Sequence, residues 1–241
     1  NIYEKNEVEV ITKIDFLNTK TDLKYIYNND QILFVKNDIG KNLKNKIELL
    51  GKIELNPFFF NLDLYIDKIK LRNLIKELFF NLSKVKNNSN KNFNGNLNIH
   101  LHNLNSKLFS NFKLKINSLE EKIFVNNTNV EIKNIGKINF TDIKIIEKED
   151  QLYVKSKIEV KIEDQQQFYK RFQIPRKNRF NVNKIYLYFE YNLDDDKHYF
   201  SGFNLKKVSD EEDYSLDLYE VNNYQQLTLL IKEEFLKIKK E

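Results

Sequence analysis

Apolar and polar residues alternate with a period of two over most of this chain. From Val154 to Glu163, the residues Val154, Ile158, Val160 and Ile162 fall on one side, and Lys155, Lys157, Glu159 and Lys161 on the other. Successive side chains of an extended strand point to opposite faces, so the segment reads as a strand with one dry face and one wet face. Val8, Val10, Ile14 and Phe16 repeat the pattern, as do Leu97, Ile99 and Leu101, and then Phe112, Leu114 and Ile116. Ile185, Leu187, Phe189 and Tyr191 share a face with Tyr186 and Tyr188 behind them, so that strand is apolar on both sides. The alternation predicts roughly ten or eleven strands, drawn from twelve candidate segments of which one or two are not expected to hold: 7–17, 22–28, 31–37, 44–55, 58–67, 94–103, 109–118, 121–126, 128–147, 151–163, 182–192 and 197–206. Short polar stretches join them: Asn28-Asn29-Asp30, Asn126-Asn127-Thr128, Glu147-Lys148-Glu149-Asp150 and Asp194-Asp195-Asp196. Such turns favour antiparallel hairpins, hence a meander rather than a parallel α/β array.

Three segments break the period. Over 70–85, Leu71, Leu74, Ile75, Leu78, Phe79, Leu82 and Val85 form one helical stripe. Over 164–173, Asp164 can cap a short helix in which Phe168 and Phe172 pair at i, i+4, and Pro175 stops it. A C-terminal helix over 222–239 carries Tyr224, Leu227, Ile231 and Ile238 on one side. The Asn- and Ser-rich stretch 86–96 reads as a linker between a β-rich part over 1–85 and a second β part over 97–241. The expected fold class is mainly β with a few helices.

Composition narrows the function classes. With 41% hydrophobic and 31% charged residues the chain is globular in character, and no apolar run approaches the roughly 20 residues of a membrane-spanning helix. It begins with Asn1 rather than Met, which raises the expectation that a preceding segment, with any export signal or anchor, has been removed. The net charge of +5 arises from 40 basic and 35 acidic residues spread along the chain, which does not make a nucleic-acid footprint. Lys, Asn, Ile, Phe and Tyr are heavily used, and Ala, Cys, Met and Trp are absent, as an AT-rich genome would produce. Without Cys there is no disulfide or thiol chemistry.

Candidate chemistry is sparse. His100 and His102, at i, i+2 on one strand face, have a metal-ligand spacing but no evident third ligand, and His198 sits at the mouth of another hairpin. Solvent-facing strand histidines are the simpler reading, and no metal is assigned. Asp194-Asp195-Asp196 lacks the glycine and distal glutamate of an EF-hand loop and reads as a hairpin turn, and Ser209 to Asp213 reads as a solvated acidic loop. Asp63 and Asp67, alternating with Tyr65, come closest to carboxylates in an apolar setting. No dinucleotide, P-loop or nucleophile-elbow motif is present, so no catalytic residue and no cofactor is assigned. The aromatic runs Phe58-Phe59-Phe60, Phe79-Phe80 and Tyr186 to Tyr191 read either as core or as a wall against a flexible apolar ligand.

One resemblance adds to this. The segments NGNLNI (94–99), LFSNF (108–112), INFTD (138–142), FYKRFQIPRKNR (168–179) and VNKIYLYFEYNLD (182–194), with GKIELNPFFFNLDLYIDKIKLRNLI (51–75), resemble the AsmA-like (AsmA/TamB-type) envelope proteins of AT-rich alphaproteobacteria. The resemblance covers most of residues 45–206. It implies a long, curled antiparallel sheet forming an open hydrophobic groove, in the periplasm, tied to the inner membrane by an anchor outside this chain. It further implies non-enzymatic phospholipid transport between the inner and outer membranes and a part in outer-membrane homeostasis. On that reading acyl chains are the partner, other envelope proteins are further candidates, and Val154, Ile158, Val160, Ile162, Ile185, Leu187 and Phe189 line the groove. Replacing Ile158 or Leu187 by Asp is then expected to abolish lipid retention with the sheet intact. Two rivals remain: a structural or protein-binding β-domain of the envelope with a closed apolar core, and an enzyme such as a hydrolase, which would need converging polar groups.

Overall fold

The computed structural model describes residues 7–16, 19–36, 47–68, 71–88, 94–119, 122–205 and 218–238. They form thirteen strands whose order across the sheet follows the order in the chain. The strands are β1 (Val8–Phe16), β2 (Thr19–Tyr27), β3 (Gln31–Val35), β4 (Ile47–Leu55), β5 (Phe58–Asp67), β6 (Asn94–His102), β7 (Phe109–Leu119), β8 (Lys122–Ile132), β9 (Gly136–Lys148), β10 (Gln151–Ile162), β11 (Lys184–Asn192), β12 (Lys197–Asn204) and β13 (Tyr219–Glu220). The helices are α1 (Leu71–Asn88), α2 (Gln165–Arg171) and α3 (Tyr224–Ile238). The fold is mainly β, and the sheet is a mostly antiparallel meander, as the alternation predicts. β5 and β6 pair in parallel, because α1 returns the chain to the end of the sheet at which β5 began.

The chain divides into two compact units, residues 1–128 and 129–241, with the division inside β8. The stretch 86–96 holds the end of α1 and the start of β6, and 89–93 lie outside the described residues.

In the first unit the Asn28 turn forms as its chemistry dictates: Asn28 Oδ1 accepts from the backbone N–H of Asp30 (3.0 Å) and Gln31 (2.9 Å). Along α1 the stripe buries Leu74 and Phe79, and Phe80 faces outward.

From β8 onward the elements differ most from expectation at two places: the turn before β9, and β13, a strand the alternation does not predict. Asn126-Asn127-Thr128 is not a turn; β8 runs through it, with Asn127 at φ 48°. The turn comes instead at Lys133-Asn134-Ile135, so the predicted strand 128–147 is two strands. There Asn134 takes φ 58°, and buried Ile135 accepts backbone bonds from Glu163 (2.7 Å) and Asp164 (3.0 Å) through its carbonyl. The β9–β10 turn at Glu149-Asp150 has both residues at positive φ, as a two-residue hairpin requires. Between β9 and β10 the register shifts, so Asp142 and Ile143 oppose Ser156. Ser156 is buried on the apolar face, and its Oγ donates to the Thr141 carbonyl at 2.7 Å, which satisfies the hydroxyl through the bulge.

α2 starts as expected, with Asp164 Oδ1 accepting from Gln167 N–H at 2.9 Å. α3 buries Thr228, Leu230, Ile231 and Phe235, whereas Tyr224 stays exposed. The stripe expected from Tyr224 is therefore rotated toward Phe235, which is 0% exposed. The Phe235 ring meets Phe168 (5.6 Å) and Tyr169 (6.2 Å) of α2, Phe180 (5.1 Å), and Phe203 of β12 (5.7 Å). These rings join both helices to the sheet of the second unit.

Candidate functional site

Strand register assembles an apolar face in the first unit. One cross-strand row runs Val10, Tyr25, Phe34, Gly51, Leu62, Leu97, Ile116 from β1 to β7. The next runs Val8, Tyr27, Ile32, Ile53, Phe60, Gly95, Ser118. Directly paired residues share a face, so these rows and Leu49-Leu64-Ile99-Leu114 make one continuous surface. The opposite face mixes Glu9, Lys13, Lys24, Lys52, Glu54, Asp63 and Asn98 with Ile11, Leu33 and Leu50.

Coverage of the apolar face is uneven. Toward β5–β7 it is sealed: Ile66, Ile99, Leu101, Phe112 and Leu114 are 0–2% exposed. Toward β1–β4, Val10, Leu23, Tyr25, Ile32, Phe34, Leu49 and Ile53 are only half-buried, and Val8 (53%) and Tyr27 (40%) are exposed. A sheet ordinarily buries its dry face on another layer. Here the face is closed at one end only.

Gly51 sits within this face at φ +114°, and a Cβ there would stand 2.1 Å from the Asn61 carbonyl oxygen. That contact is with backbone, so a side chain forces β4 and β5 apart. Gly51→Ala is expected to cost about 2–4 kcal/mol of stability, read as a lower urea midpoint.

All seven residues predicted to line a groove lie on one face of β10 and β11 in the second unit. Val154 faces Tyr191, Ile158 faces Leu187, and Val160 faces Ile185. Ile162 continues the row, and Phe189 stands opposite Ser156. Val154, Ile158, Val160, Ile162, Ile185 and Leu187 are 1–8% exposed. Phe189 is half-buried, in ring contact with Phe140 (6.0 Å) and Phe200 (5.3 Å). This wall is therefore buried, and a carboxylate at Ile158 or Leu187 would have to be desolvated. Substitution there reads stability before it reads ligand retention.

The outer face of the same strands carries ion pairs: Lys155–Glu190 (2.7 Å), Lys157–Asp142 (3.4 Å) and Lys184–Glu159 (3.1 Å). Burial pushes the Glu159 carboxyl up, but hydrogen bonds and charge from Lys184, with help from Asn139 and Tyr186, bring it below its ordinary value. Tyr186 and Tyr188 stand opposite Glu159 and Lys157 on this face, half-buried.

The other candidates settle into local roles. His100 lies 3.7 Å from Asp63 and stacks on Tyr65 at 4.7 Å, and His102 flanks the same ring at 6.5 Å. Burial lowers the His100 pKa, and this outweighs the opposing pull of Asp63. Asp63 also accepts from Asn98 Nδ2 (2.9 Å), and Asp67 from Asn103 Nδ2 (2.8 Å). His198 stacks on Tyr191 at 4.4 Å. Among the described residues no group of three or more His, Cys, Asp or Glu is placed to hold a metal. Asp194-Asp195-Asp196 forms the β11–β12 turn: Asn192 Oδ1 accepts from the N–H of Asp194 and Asp195, and Tyr191 OH donates to Asp196. Ser209 to Asp213 lie outside the described residues. In the FYKRFQIPRKNR segment, Phe168, Tyr169, Phe172 and Ile174 are buried, and Arg179 donates to the Ile174 carbonyl at 3.0 Å. The segment is a structural knot of the second unit.

Sequence reading missed the open face of the first unit. Its parts were visible in Val8 to Phe16, but Leu23, Tyr25, Ile32, Phe34 and Ile53 join them only through register. Among the described residues, no helix is long and apolar enough to cross a membrane. Comparison of the chain with models of protein families, with curated proteins and with solved structures gives no match.

Proposed function

We propose that this chain is a non-enzymatic β segment of a cell-envelope protein that shelters phospholipid acyl chains, in the periplasm, as part of phospholipid transport between the inner and outer membranes. The observation that carries the reading is the apolar face of the first unit, continuous across seven strands and half-covered from β1 to β4. An acyl chain needs no polar specificity group; each CH₂ removed from water contributes about 0.8 kcal/mol. The envelope setting rests on the resemblance to AsmA-like proteins carried by residues 45–206.

The test is native mass spectrometry of the purified chain, with organic extraction, comparing two variants of one strand. Phe34→Asp places a carboxylate on the apolar face; Leu33→Asp places it on the opposite face, where Leu33 is already 37% exposed. Phospholipid is expected to co-purify with the wild type and Leu33→Asp and to be lost from Phe34→Asp. A chain that stays lipid-free after incubation with phospholipid vesicles rejects the reading.

A second reading, a protein-binding β-domain with a closed core, is favoured by the burial of Ile158, Ile185 and Leu187 beside the α2–α3 ring cluster. It predicts no lipid in any variant.

A further inference from the structure

We propose that β1 is a homodimerisation edge, at which two copies of the chain pair antiparallel about a two-fold axis at Ile11. The strand order ends at β1, and among the described residues nothing pairs with its outer edge. All nine residues of β1 are in register with β2, so this edge is a full-length extended strand and its outward N–H and C=O groups are a template for another strand. The opposite terminal strand, β13, has two residues. β1 contains no proline and no bulge of the kinds that blunt edges; its exposed apolar residues Val8 (53%) and Ile11 (48%) lie on opposite faces.

The sequence of β1 selects the partner and the register. With Ile11 facing its own copy, Glu9 of each strand meets Lys13 of the other, Val8 meets Ile14, and Val10 meets Thr12. Charges then alternate on one face, since Glu9 already pairs with Lys24 at 3.0 Å within the chain. On the other face the apolar rows containing Val8 and Val10 continue into the second copy. Moving the axis to Thr12 sets Glu9 against Asp15 twice and Ile11 against Lys13 twice; moving it to Val10 sets Glu9 against Ile11 and shortens the overlap. Like charges directly opposite are unfavourable, so the Ile11 register is preferred. A two-fold contact of this kind is self-complementary and closes, which limits the assembly to two copies.

Sedimentation equilibrium over a concentration series tests this without reference to lipid. The wild-type chain is expected to dimerise. Glu9→Lys and Lys13→Glu each turn two attractive cross-strand pairs into repulsive ones and are expected to weaken the dimer about tenfold, with the double exchange restoring it. Since the chain has no cysteine, Ile11→Cys supplies its only thiol, and oxidation is expected to link two copies through it. A wild-type chain that remains monomeric overturns the proposal, as does a dimer indifferent to both charge reversals. Far-UV circular dichroism of each variant verifies that the sheet is retained.

Discussion

Phe235→Ala is expected to lower the unfolding free energy of the second unit by about 3–5 kcal/mol, the usual range for removing a fully buried aromatic ring. Phe235 is 0% exposed, and its ring touches Phe168, Tyr169, Phe180 and Phe203. Those neighbours come from α2, from the segment after it and from β12, so they cannot collapse together into the void without moving separate elements. A domain is stable by only about 5–15 kcal/mol, so this single truncation uses up a large share of that margin. Leu229→Ala, on the same helix at a side chain 54% exposed, is the control and is expected to shift stability by no more than about 0.5 kcal/mol. Urea titration followed by tyrosine fluorescence reads both. Equal midpoints for the two variants would mean that α3 does not hold the sheet through this ring.

Ile158→Asp is expected to be at least as damaging, at about 4 kcal/mol or more. Ile158 is 4% exposed and stands between Phe140 and Leu187 on neighbouring strands. A carboxylate there loses the burial of the isoleucine and must either stay ionised without water or take up a proton. In the second case its pKa rises above the unfolded value, so the penalty falls at low pH and is fully present at neutral pH. The measurement is the urea midpoint of Ile158→Asp at neutral and at acid pH, against the wild type under the same conditions. A wild-type midpoint at neutral pH would show that water reaches this face, which is what an open furrow at β10–β11 demands. Together with Phe34→Asp, this variant separates the two units: one carboxylate tests what the first unit shelters, the other how the second unit is closed.

Several features were legible because they are local. The alternation of Val154 to Ile162 needs no partner to define its faces, and the buried set Val154, Ile158, Val160 and Ile162 is the one the alternation singles out. The Asp164 cap, the Asn28 turn and the Leu74–Phe79 stripe are likewise written within a few residues of themselves. The boundary at Lys133-Asn134-Ile135 was hidden because Val130, Ile132 and the residues after Gly136 keep alternating through it, and Asn126-Asn127 looked like the stronger turn. What closes Ile135 in place is its carbonyl bonding to Glu163 and Asp164, almost thirty residues away.

Sequence alone thus determined most element types, the antiparallel meander and the dry sides of β6, β7, β10 and β11, since side-chain alternation and turn chemistry act over neighbouring residues. Tertiary structure decided which dry sides are covered. The face is buried near β5 to β7, whereas Tyr25, Phe34 and Ile53 stay half-buried, and the ring cluster around Phe235 stands against the sheet that holds Leu187. Coverage depends on register and on where a helix returns across the sheet. Both are set by pairings between residues far apart in the chain, which a pattern of period two cannot encode.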